Sequence, residues 1–183
     1  MTFRLVKERV SDGNKKLDNL VGFLFMLGLV LTIWEIYLYR LTIINLKIPL
    51  TIWLIPGLFM TPLLYNKMNN IDGKKGHWIL HYLCHTVMTG GIILFIFMAL
   101  NFYLADKTIV EKRFKVLRTS SMSGPTGHRN ERQPYVVINY SGFEKQLIFS
   151  NQEMKIVLPS KSVRLKIRNG FLGFDILESY KIE

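Results

Sequence analysis

Apolar and polar positions along this chain change their rhythm at Ala105. Before it, three long apolar runs follow one another. After it, apolar and polar residues alternate. The first run, 20–39, holds about 20 apolar residues, which at 1.5 Å per residue cross a hydrocarbon core about 30 Å thick. The second, 48–65, is shorter and carries Pro49, Pro56 and Pro62. Proline is tolerated in a first helical turn, so Pro49 is no obstacle there. Pro56 and Gly57 fall mid-span, where they predict a kink that shapes packing. The third run, 78–104, is longer than a span needs and predicts tilt or projection beyond the bilayer. Gly90 and Gly91 within it mark a place where another helix can come close.

From Lys112 onward the period is two. Strands are expected at 113–119, 135–140, 143–149, 163–168 and 171–177. Ser141-Gly142 and Asn169-Gly170 predict two tight hairpins, Asn-Gly being the strongest short-range signal. Ser120–Gln133 has no apolar periodicity and reads as a long loop between the first two strands. The expected fold is therefore three transmembrane α-helices followed by a small soluble antiparallel β domain of about five strands, as a sheet or a partial barrel. The expected division is a basic tail at 1–19, a membrane domain at 20–105 and the β domain at 106–183.

Charge sharpens this picture. The 183-residue chain holds 24 Lys and Arg against 13 Asp and Glu, a net +11, and a surplus of six lies after Ala105. A basic surface beside a bilayer suits anionic lipid headgroups, and nucleic acid is not an expected partner. The polar lead shows no small-residue cleavage pattern, so it is not expected to be a cleaved signal. Basic residues flank the first helix five before against two after, which favours a cytoplasmic N-terminus and an extracytoplasmic β domain, with a bacterial inner membrane as the expected location. The lone cysteine, Cys84, permits no internal disulfide.

Several residues are candidates for chemistry. Lys161, Arg164, Lys166 and Arg168 form a basic strip on one face of the strand at 163–168, suited to lipid, a phosphorylated ligand or an acidic partner. The same pattern also serves to deter edge pairing. In the long loop, small residues with Arg129 and Arg132 could cradle a phosphate, although the P-loop spacing is missing. His77, His81 and His85 recur every four residues with Cys84 beside the last. One helical face would carry them, as a metal or haem site or as polar anchors. Glu35 lies in the aromatic belt of Trp34, Tyr37 and Tyr39. It is expected to reach headgroups or pair with Arg40, and otherwise to be an intramembrane carboxylate handling protons or ions. Asp175 is expected to face away from the core by strand alternation.

The chain carries no nucleophile elbow, HExxH, paired CxxC, GxGxxG or EF-hand loop, and no internal repeat. The leading expectation is a non-enzymatic membrane protein without a cofactor. Its β domain would recognise a partner, lipid or ligand, and its helices would anchor it as an accessory subunit or a homo-oligomer. One alternative is a ligand-sensing effector that oligomerises and permeabilises the membrane. A second is a metal or haem protein built on the third helix.

Overall fold

The computed structural model describes residues 2–72, 77–124 and 131–183, with side chains described over 19–65, 77–124 and 131–183. The chain divides into two compact units. One is Met1–Tyr39 with Leu46–Ala99, and the other is Arg40–Asn45 with Leu100–Glu183.

The first unit is helical. Helix α1 runs Thr2–Leu41, α2 runs Lys47–Asp72, and α3 runs Trp78–Tyr103. Each contains a stretch long and apolar enough to cross a membrane: Asn19–Leu41, Lys47–Tyr65 and Trp78–Tyr103. Three such helices suit a membrane location. Phe23, Met26, Leu58, Phe59, Leu63 and Ile79 are among its exposed apolar side chains, an arrangement that suits lipid as solvent. The polar lead expected as a tail continues α1, because adding turns to an existing helix needs no new nucleus. Pro56 and Pro62 both lie inside α2. Within α3, Thr86–Gly90 forms a π turn.

Close packing in this unit runs through glycines. A Cβ on Gly57 of α2 would collide with the Thr86 hydroxyl of α3, and one on Gly90 of α3 would collide with the Trp53 carbonyl of α2. Against α1, a Cβ on Gly91 would stand 2.6 Å from the Thr32 hydroxyl and 2.7 Å from the Gly28 carbonyl. Lipid tails are as apolar as leucine, so helices in a bilayer associate through such backbone approach rather than through hydrophobic burial.

The second unit is a five-stranded antiparallel sheet in the order β3-β2-β1-β4-β5, not closed into a barrel. Its strands are β1 Ile109–Ser123, β2 Arg132–Tyr140, β3 Phe143–Ile148, β4 Ser162–Arg168 and β5 Ile176–Ile182. A short helix α4, Met154–Val157, follows a turn opened by a Ser150–Glu153 capping box. Strand β1 serves two partners. Its first half pairs with β4 and its second half with β2, and a bulge at Val116–Arg118 interrupts the β2 pairing near its start. Val136, Ile138 and Leu147 from one half-sheet and Val163, Leu165 and Ile167 from the other share one core with Val157 of α4. Ile43, from the α1–α2 link, completes it. Its amide donates to the Asp175 carbonyl at 2.7 Å, and Thr42 bridges to Ile176.

Several expected boundaries change, and β1 already begins at Ile109 rather than at 113. Strand β1 extends to Ser123 and β2 starts at Arg132, so the long loop is shorter than expected; Arg129 lies outside the described residues. The last strand is Ile176–Ile182, where 171–177 was expected. A type I′ turn needs positive φ at both central residues. Ser141 and Gly142 have it, at 48° and 90°, whereas neither Asn169 nor Gly170 does. Gly170 is needed for a different reason: a Cβ there would strike the Phe174 carbonyl and the Asn101 side chain.

Candidate functional site

Strand alternation places Arg164, Lys166 and Arg168 on the outer face of β4, with Arg113 opposite Arg164 and Glu111 opposite Lys166 on β1. Like charges directly opposite one another repel, and this face offsets that with carboxylates. Glu183 takes ion pairs from both Arg113 and Arg164. Glu111 takes Lys166 and Arg164, each at 3.2 Å, and Glu178 takes Arg168. Hydrogen bonds from Arg113 and then Arg164 hold the Glu183 carboxyl below the usual carboxylate range, and Lys166 does most of the same for Glu111. The three basic residues of β4 are therefore woven into a charge ladder. Arg132 opens β2 opposite Ser123, at the other end of β1, and does not join them. Lys161 does come near, since its carbonyl accepts from the Val116 amide at 3.0 Å.

Beside that contact is a patch that sequence periodicity missed. The bulge leaves Leu117 53% exposed, between two tethers: Val116 to Lys161, and the Thr119 hydroxyl to the Leu158 carbonyl at 2.9 Å. The tethered segment carries Ile156 and Leu158, 63% and 43% exposed. The same two segments carry the exposed Lys115, Lys155 and Lys161, none of them in an ion pair among the described residues. A bulge has no sequence signature here, and four residues of α4 are too few for periodicity to reveal.

On the opposite face of β1, Lys112 and Asp175 are ion-paired at 3.7 Å, Tyr140 donates its hydroxyl to Asp175, and the Lys112 ammonium lies 5.8 Å from the centre of the Tyr140 ring. Asp175 thus points inward, contrary to expectation. It belongs to the loop before β5, where strand alternation does not apply. Burial, followed by the hydrogen bond and charge of Asp175, pushes the Tyr140 hydroxyl well above its ordinary range. A group whose folded pKa is raised contributes stability that is intact below its unfolded pKa, about 10, and lost progressively as pH climbs from there through the folded pKa. The gap between the wild type and Tyr140→Phe in urea denaturation should therefore hold from pH 8 to about 10 and begin to narrow toward pH 11. A constant gap between them would mean that Tyr140 does not titrate on unfolding.

The helical candidates lie in the first unit. His81 stacks on His85 with ring centres 6.4 Å apart, and Tyr65 of α2 meets His81 edge-on at 5.1 Å. Among the described residues, no three His, Cys, Asp or Glu side chains are placed to hold a metal ion. His85 is fully buried with neither ring nitrogen hydrogen-bonded, beside the unpartnered Thr86 hydroxyl that opens the π turn. An unsatisfied buried donor costs about 1–3 kcal/mol, so His85→Leu should stabilise the protein by about that amount in detergent. A lowered melting midpoint would show that the imidazole has a partner in the bilayer.

In the second unit, Asn101 is fully buried and grips the β4–β5 loop. Its side-chain oxygen accepts from the Leu172 and Phe174 amides, at 3.0 and 3.4 Å, and its amide donates to the Phe174 carbonyl at 2.9 Å. No known protein family, characterised protein or solved structure matches this chain.

Proposed function

We propose that this is a non-enzymatic, membrane-anchored recognition protein whose β domain docks an acidic, amphipathic segment of a protein partner. The carrying observation is that the bulge of β1 and the segment tethered to it expose Leu117, Ile156 and Leu158 on a stretch that also carries Lys115, Lys155 and Lys161. Exposed apolar side chains gathered on a small domain and rimmed by polar groups favour a protein interface. The unpaired lysines supply the charge that selects an acidic partner, while Arg164, Lys166 and Arg168 are already engaged by Glu111, Glu178 and Glu183.

Chain topology supports an anchor of three crossings. The α1–α2 link contributes Ile43 to the β-domain core, so that link and the β domain share one side of the membrane. The N-terminus then lies on the other side. The basic lead before the first span favours the cytoplasm for it, which leaves the β domain facing out of the cytoplasm of a bacterial inner membrane.

Photo-crosslinking in intact cells tests the reading. A photoreactive residue at Ile156 should give a discrete protein adduct, and one at Ser179, on the outer face of β5, should not. Leu117→Glu should reduce the adduct about tenfold, the weight of one anchor residue at an interface. Equal crosslinking from both positions, or an adduct indifferent to Leu117→Glu, would remove the patch as the docking site.

A further inference from the structure

The first unit holds a groove of about 190 Å³ walled by Thr32, Glu35 and Ile36 of α1, Leu46 and Leu50 at the start of α2, and Leu94 of α3. Ile36, Leu46 and Leu50 are also substantially exposed, so the groove opens sideways to whatever surrounds the helices. In a membrane that is lipid. Glu35 is the only ionisable carboxylate on its walls, and just 8% of its surface is exposed. It makes no ion pair or hydrogen bond with another described residue.

We propose that this groove binds the primary ammonium headgroup of a membrane lipid, with the Glu35 carboxylate as its counter-ion. An ionised carboxylate taken from water into apolar surroundings costs several kcal/mol unless a cation with hydrogen-bond donors meets it. A primary ammonium supplies both the charge and three N–H donors. A quaternary ammonium supplies charge without donors, and the amine-free headgroup of phosphatidylglycerol supplies neither a cation nor N–H donors. Depth agrees with a headgroup. Glu35 stands six residues before the end of α1 at Leu41, about 9 Å along the axis, in the turns that carry Trp34, Tyr37 and Tyr39. Size agrees as well. The groove has room for about six water-sized groups, enough for an aminoethyl head and a few following atoms but not for acyl chains, which would leave through its open side.

The site is separate from the docking patch, and each reading stands or falls without the other. Native mass spectrometry of the full chain in detergent is the test, with dioleoyl phosphatidylethanolamine, phosphatidylcholine and phosphatidylglycerol in equimolar competition. Phosphatidylethanolamine should be retained about tenfold over the other two, the worth of a charge-assisted hydrogen-bond set. Glu35→Gln should bring it down to the level of phosphatidylcholine. Leu50→Trp, which fills the groove and keeps the carboxylate, should lower retention as well, and it guards against a Gln variant that misfolds. Equal retention of the three lipids would overturn the proposal, as would phosphatidylethanolamine binding unchanged in both variants.

Discussion

Asn101→Leu should destabilise the β domain by about 3 kcal/mol or more. The substitution is close to isosteric, so little packing is lost. What it removes is the partner of three backbone groups, the Leu172 and Phe174 amides and the Phe174 carbonyl, in a place where Asn101 itself is fully closed off. Each buried backbone group left unpaired costs about 1–3 kcal/mol, and the three share one loop, so they fail together rather than independently. Asn101→Asp separates the contributions. It keeps an acceptor for the two amides and loses the donor to the Phe174 carbonyl, so it should fall between wild type and Asn101→Leu. Two readouts check this: the unfolding midpoint of the full chain in detergent, and the rate of chymotryptic cleavage at Phe171, which is already exposed and should be cut faster once the loop is released. Wild-type cleavage in Asn101→Leu would mean that Gly173 and the backbone alone set the loop.

That loop also shows where sequence reading stops. Ser141-Gly142 could be recognised as a hairpin because its geometry is local: two positive φ values and an Asn139 side chain accepting from the Gly142 amide. Asn169-Gly170 has the stronger local signal and forms no such turn, because the loop is shaped by Asn101, some 70 positions earlier. The three spans were legible to within about two residues, since length and apolarity are sufficient for a membrane helix. The basic strip was legible as a strand face. Its neutralisation was not, because Glu111 stands on β1 and Glu183 just after β5, and only the pairing of β4 with both strands brings them within reach of Arg164. Glu35 was legible as a carboxylate in the aromatic belt, expected to reach headgroups or pair with Arg40. The groove beside it depends on how three helices pack, and no periodicity reports that.

Gly90→Ala should lower the melting midpoint of the protein in detergent, at a cost of about 1–3 kcal/mol, although alanine is the better helix former by almost 1 kcal/mol. The added Cβ would meet the Trp53 carbonyl oxygen and stand 3.1 Å from its carbon. Both are backbone atoms of α2 that no rotamer change can move. Gly91→Ala strikes the other neighbour, with the Thr32 hydroxyl and the Gly28 carbonyl of α1 in its way. The two adjacent glycines therefore have different duties: one admits α2 and the other admits α1. Gly22→Ala is the control, because nothing lies within 4 Å of a Cβ there and propensity alone should make it neutral or slightly stabilising. The pair also reaches the lipid groove. Thr32 and Leu94 line it from α1 and α3, so forcing α1 off α3 with Gly91→Ala should cost lipid selectivity as well as stability. Gly90→Ala should act first on the α2 contact. Equal behaviour of Gly90→Ala and Gly22→Ala would show that α2 and α3 do not hold this backbone approach in the membrane.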